Sequence, residues 1–148
     1  MCIRASYLGA STMRPNAWKI ARANELARRN SWEPFTVLQP RYNLVDREIE
    51  GDYLEMARAY GAAICPWSPL GQGFLTGKYD RDADVPADSK AAESSRFQES
   101  YLTAANFDVH DEPDRVAEEV GASPAQTALA WAARRGGLTP PTPGRPTA

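Results

Sequence analysis

The chain has 148 residues, 17 of them basic and 19 acidic, for a net charge of −2. That length fits one ordinary domain, and the near-balance of charge argues against a nucleic-acid or polyanion binder, which would carry a basic excess. Apolar residues make up 43%, but 24 are alanine, and Leu, Ile, Val and Phe together number only 24. At low net charge this composition predicts an ordered, Ala-rich helical protein with a thin core.

In chain order, residues 3–8 form a short strand candidate ending at Gly9. Asn16 is placed to cap a helix whose packing face is Trp18, Ile20, Ala23, Leu26 and Ala27. Phe35-Thr36-Val37-Leu38 is the next strand, closed by Gln39-Pro40. Residues 48–60 carry the clearest helical period, through Ile49, Tyr53, Met56, Ala57 and Tyr60, with Gly61 as its C′ residue. Ala62-Ala63-Ile64-Cys65 is a third strand, ended by Pro66. This β-α-β-α-β order predicts parallel strands with crossover helices.

The pattern then breaks. Residues 80–112 are polar and charge-mixed, and are expected to form a long excursion or lid. A short helix is expected over 115–120, closed by Gly121. Ser123-Pro124-Ala125-Gln126 is a capping-box helix start, with Ala128, Leu129, Trp131 and Ala132 as its packing face and Gly136-Gly137 as its stop. A last strand is weakly indicated over 138–142, and the Pro-rich tail from Thr139 has the composition of a disordered segment.

Gly71-Gln72-Gly73-Phe74-Leu75-Thr76-Gly77-Lys78 fits neither a P-loop nor a dinucleotide fingerprint, since Gln72 and Thr76 stand where glycines belong. It follows a strand at the end where parallel β/α folds bind ligands. It is therefore either a flexible turn or a loop whose backbone approaches a phosphate, with Lys78 adding charge. Trp67 is either core packing or a platform for a flat ring. Gln39 is either a loop polar residue or a partner for a planar carboxamide. His110, in an acidic stretch, is expected to be a solvated loop histidine without a catalytic partner. Asp46, Glu48, Glu50 and Asp52 favour a helix dipole, and Asp80, Asp82, Asp84 and Asp88 form a solvated charge run without the pattern of a Ca²⁺ loop. Cys2 and Cys65 match no metal or redox spacing, so no metal site is assigned. No stretch approaches the ~20 apolar residues of a membrane span, and Arg4 and Ser6 interrupt any signal-peptide core. A cytoplasmic location and no membrane partner are expected.

Tyr7-Leu8-Gly9-Ala10-Ser11-Thr12, Leu38-Gln39-Pro40-Arg41-Tyr42-Asn43-Leu44, Pro66-Trp67-Ser68-Pro69-Leu70 and Leu75-Thr76-Gly77-Lys78-Tyr79 recur in the order and spacing of the aldo-keto reductase family. Ser123-Pro124-Ala125-Gln126-Thr127-Ala128-Leu129-Ala130-Trp131 resembles the helix before that family's last barrel strand. The subgroup it is similar to contains the potassium-channel β subunits. The resemblance implies an α/β fold, a partial (β/α)8 TIM barrel, with residues 1–144 as its C-terminal half. That half runs from about the fifth strand to the eighth, without the N-terminal half or final helix, and residues 145–148 are a tail. It also implies NADP(H) as cofactor. Ser11, Thr12 and Gln39 match positions that bond the nicotinamide carboxamide, and Trp67 matches the aromatic that stacks on its ring. Ser68, Pro69, Leu70, Gly71 and Gln72 match the loop over the pyrophosphate. Lys78 matches a phosphate-contacting lysine, Lys90 stands where close relatives carry Arg, and Pro143-Gly144 resembles the start of the cofactor-binding loop after the last strand. No residue here aligns with the family's catalytic Asp, Tyr, Lys and His, and His110, Tyr42 and Lys78 are not assigned as substitutes. The expectation is a fragment of an NADPH-dependent oxidoreductase, acting on a small carbonyl substrate only if the other half is supplied. The alternative is a non-catalytic truncated product or a nucleotide-binding or interaction module. Either is expected to pair with itself, to pair with a complementing N-terminal half or to stay molten, because half a barrel leaves raw edges.

Overall fold

The computed structural model describes residues 7–12 and 16–135. Three parallel strands form one sheet in the order β1-β2-β3: β1 (Leu8–Thr12), β2 (Phe35–Pro40) and β3 (Ala63–Ile64). Leu8 lies opposite Phe35, Ser11 opposite Gln39, and Leu38 opposite Ile64. Helices α1 (Ala17–Arg29) and α2 (Asp52–Tyr60) make the crossovers, as parallel neighbours require. The first strand does not stop at Gly9. It runs on to Thr12, paired in parallel with β2 from Gly9 opposite Val37 to Thr12 opposite Pro40.

Helix α1 turns part of the expected face inward, with Ile20 packed on the core and Ala27 buried, but not all of it. Trp18 and Leu26 are exposed, while Asn24 and Ala27 are buried. The Asn24 amide donates to the Phe35 carbonyl at 3.1 Å and accepts from the Phe35 N–H at 2.9 Å. A buried polar side chain thus satisfies the start of β2. The segment 48–60 is not one helix. A 3-10 turn over Glu48–Glu50 is separated from α2 by Gly51, whose ψ of −129° is non-helical. Gly61 ends α2 in the left-handed conformation expected of a C′ glycine.

The expected excursion over 80–112 is largely helical. It contains α3 (Lys90–Glu93), α4 (Ser95–Tyr101) and the start of α5 (Ala104–Val120), so the expected short helix over 115–120 begins eleven residues earlier. The side chains of Ser89, Ser94 and Thr103 accept N–H bonds at the three helix starts. Phe97, Tyr101 and Phe107 are buried with Phe74, Leu75 and Tyr79, so the segment packs as core. Arg81 ties the acidic stretch before it to α5, reaching Asp108 at 2.6 Å and Asp111 at 3.3 Å. α6 (Pro124–Arg134) starts with the expected capping box. A second apolar cluster joins sheet and α2 through Leu38, Tyr42, Ile49, Tyr53, Met56, Ala57 and Ile64. Trp131 of α6 stacks on Tyr42 at 5.3 Å and links α6 to that cluster. The Gly136-Gly137 stop, the 138–142 strand, the Pro-rich tail and Gly144 lie outside the described residues.

His110 is not a solvated loop residue. It lies inside α5, only 3% exposed, with its ring 5.0 Å from Phe74 and Nδ1 3.3 Å from Asp114 Oδ2. Helical spacing of four residues brings Asp114 to it, which the loop expectation left unseen. Burial raises the Asp114 pKa, and the neighbouring His110 opposes that rise. Among the described residues no helix is long and apolar enough to cross a membrane.

Candidate functional site

The C-terminal ends of the strands carry the expected residues. Ser11 and Gln39 are directly paired, and the Ser11 hydroxyl donates to the Gln39 carbonyl at 3.3 Å. Thr12 closes β1 opposite Pro40. Pairing beyond β3 continues through an Arg41–Trp67 bridge, with the Trp67 N–H donating to the Pro40 carbonyl at 3.0 Å. That bridge sets Trp67 at the mouth of the sheet, half-buried, with its indole Nε1 buried and without a partner among the described residues.

The loop that follows is built on left-handed residues. Ser68 and Gln72 have φ of 57°, and Gly71, Gly73 and Gly77 have φ of 57°, 101° and 81°. The two non-glycine cases cost on the order of 1–3 kcal/mol each and persist only where the surroundings impose them. Buried Phe74 and Leu75 anchor the loop to the aromatic cluster. The loop amides are already engaged. Gly71 donates to the Ser68 carbonyl at 3.0 Å, Gln72 to Ser68 Oγ at 3.1 Å, and Gly73 and Leu75 to the Leu70 carbonyl at 3.0 and 3.1 Å. These four N–H groups therefore point into the loop, and a phosphate approaching it meets side chains first. Pro69 is buried and Leu70 packs on the aromatic cluster.

A cavity of about 740 Å³ opens beside Trp67 and Gln72, within the usual range for small-molecule sites. Lys90 also lines it, and its Nζ donates to the Gln72 side-chain oxygen. Arg41, Arg96, Tyr101 and Glu48 complete most of the wall, so three cations face one carboxylate. Of the expected residues, Trp67, Gln72 and Lys90 share this wall. Ser11 and Gln39 sit at the adjacent strand ends. Lys78 does not line the cavity. Its ammonium lies over the Tyr79 ring at 5.2 Å and beside Gly73.

The sequence reading missed Arg41, Arg96 and Tyr101. The serines at 89 and 94 are N-cap types, a signal that would have placed Lys90 and Arg96 at helix starts. It also misplaced two of the clustered acids. Asp46 accepts from Tyr101 and Asn43, and pairs with Arg41 at 2.7 Å. Glu50 is gripped by Arg47 and takes the Tyr42 hydroxyl at 2.6 Å. The Arg47 bond chiefly holds the Glu50 carboxyl below its ordinary range. Burial, then the Glu50 bond and charge, push the Tyr42 phenol up. Tyr42 is thus a core residue bound to a carboxylate. Burial and the Asp46 charge likewise raise the Tyr101 phenol, against Gln72 and Arg41.

Three parallel strands joined by helices, with a loop and a cation-lined cavity at their C-terminal ends, make this an α/β protein. Residues 5–146 match the Aldo/keto reductase family, and the chain belongs to that family. It is 37% identical over 137 residues to a probable voltage-gated potassium channel subunit beta of Oryza sativa subsp. japonica, covering 87% of this chain and 39% of that protein. It is 33% identical over 141 residues to probable aldo-keto reductase 1 of Glycine max, covering 95% and 38%. It is 32% identical over 130 residues to the versiconal hemiacetal acetate reductase of Aspergillus parasiticus, covering 86% and 36%. The chain thus spans less than two-fifths of the length of these relatives.

Proposed function

We propose that the chain is the nicotinamide- and pyrophosphate-binding half of an NADPH-dependent carbonyl reductase, formed by roughly the fifth to eighth strands of a family barrel. The observation that carries this is the meeting of Trp67, Gln72 and Lys90 on one cavity wall, beside Ser11 and Gln39 at the strand ends. The residues fit the cofactor. Trp67 offers a flat face and a buried indole N–H with no partner among the described residues. Ser11 spends its proton on the Gln39 carbonyl, which leaves its oxygen to accept from a carboxamide. The Gln39 side-chain amide can both donate to and accept from such a group. Lys90, backed by Arg96, supplies the charge for a phosphate that the engaged loop amides do not meet, since Arg41 is paired with Asp46. Bound NADPH supplies a hydride. The residues of this chain hold and orient the nicotinamide, and the acid that protonates a carbonyl oxygen comes from elsewhere.

NADPH titration should quench tryptophan fluorescence, and Trp67→Phe should remove most of that change. Quenching that Trp67→Phe leaves intact, or none at all, refutes the binding role. With 4-nitrobenzaldehyde the chain alone should oxidise NADPH no faster than background, since loss of a general acid costs ~10²–10⁴ in rate. Clear turnover by the chain alone refutes the missing acid. A second reading, a binding or interaction module without turnover, draws on the channel-subunit name of the rice relative. Turnover restored by adding the remaining part of a family barrel would exclude it.

A further inference from the structure

Ser68 and Gln72 hold left-handed backbone conformations without being glycine, and Gln72 lines the cavity. The groups that impose this lie outside the loop. Asn43 is fully buried and donates from Nδ2 to the Ser68 carbonyl at 2.9 Å and to Asp46 Oδ2 at 2.9 Å. Its Oδ1 accepts from the Val45 and Asp46 N–H groups at 3.0 and 2.9 Å, so its orientation is fixed. Asp46 Oδ2 also accepts from the Tyr101 hydroxyl at 2.9 Å, and Oδ1 pairs with Arg41 at 2.7 Å. The Tyr101 ring packs against the loop, with Cε1 3.2 Å from where a Cβ on Gly71 would stand and its centroid 5.9 Å from that of Phe74. One carboxylate therefore ties together the turn after β2, the loop after β3 and helix α4.

We propose that Asp46, acting through Asn43 and Tyr101, is a positioning residue that holds the 68–73 loop in its left-handed form and so sets the wall made by Trp67, Gln72 and Lys90. A carboxylate suits the task because it accepts several bonds at once and strengthens each by its charge. The effect on dinucleotide affinity rests on the function proposed above, whereas the hold on the loop does not.

Tyr101→Phe removes only the hydroxyl and keeps the ring on Gly71. Asp46→Ala removes the hub, and Asp46→Asn keeps its shape without its charge. By amide hydrogen exchange, Tyr101→Phe should speed exchange over 68–73 by about tenfold and Asp46→Ala by more, with Asp46→Asn between wild type and Asp46→Ala. Exchange within α2 should stay within about twofold, a selectivity that a general loss of stability would not give. NADPH affinity should weaken in the same order. Loop exchange unchanged in all variants, faster equally throughout the chain, or already unprotected in the wild type overturns the proposal. Loop exchange that responds as stated in a chain that binds no NADPH keeps the clamp and removes the dinucleotide reading.

Discussion

At Gly77 the backbone has φ of +81°, and a Cβ built there would lie 2.8 Å from Pro124 Cγ. Gly61 has φ of +65° and nothing within 4 Å of the same position. The two sites separate conformational strain from crowding. Gly61→Ala should cost only the left-handed penalty of ~1–2 kcal/mol. Gly77→Ala should add overpacking against the first residue of α6, for a total of roughly 2–5 kcal/mol. Equilibrium urea unfolding of the two variants checks this, and equal losses would remove the role assigned to the Pro124 contact. Gly61 was legible in sequence, because the left-handed end of a helix is a local demand, whereas the contact that crowds Gly77 was not. The fate of His110 was not, because it depends on Phe74, which lies 36 positions earlier in the chain and beyond the range of any local pattern.

Among the helices, α6 shows what a local signal can specify. Ser123 Oγ accepts from the Gln126 N–H at 3.3 Å, and Gln126 Oε1 accepts from the Ser123 N–H at 2.8 Å. All partners lie within one turn, so the box could be read directly from Ser123-Pro124-Ala125-Gln126. Ser123→Ala should cost ~1 kcal/mol and Ser123→Asn much less, measured by denaturant unfolding. A loss at Asn equal to that at Ala would argue that the cap bond contributes nothing. The segment 80–112 went unread for the opposite reason. Helices α3 and α4 have only four and seven residues. Neither is long enough to display a period, and the two aromatic side chains of α4 pack on Phe74 and Tyr79 from the segment after β3.

Across the whole molecule, the two apolar clusters leave part of the surface uncovered. β1 pairs on one side only among the described residues, and Tyr7 and Leu8 are 75% and 43% exposed beside it. Trp18 and Trp32, on and just after α1, are 61% and 67% exposed. An edge strand flanked by large apolar side chains is a template for pairing. The isolated chain should therefore associate at tens of micromolar, as seen by light scattering on a sizing column. Leu8→Lys with Trp18→Glu should shift it toward monomer. A wild-type chain that elutes as a monomer with a cooperative thermal transition would count against this expectation.

By itself the sequence determined the alternation of strands and helices through β3, the parallel sheet, the capping box of α6, the glycine ends of α2 and α5 and the family motifs at the strand ends. Each of these rests on contacts between near neighbours or on a short run of residues. Tertiary structure alone decided that Ala91, Phe97, Tyr101, Phe107 and His110 are buried, and that Asp46 is a hub rather than a helix-end charge. Those features rest on bonds such as Tyr101 to Asp46, 55 residues apart, and Asn43 to Ser68, 25 apart. Such contacts form only when the chain folds back on itself, where burial multiplies the worth of a satisfied polar group.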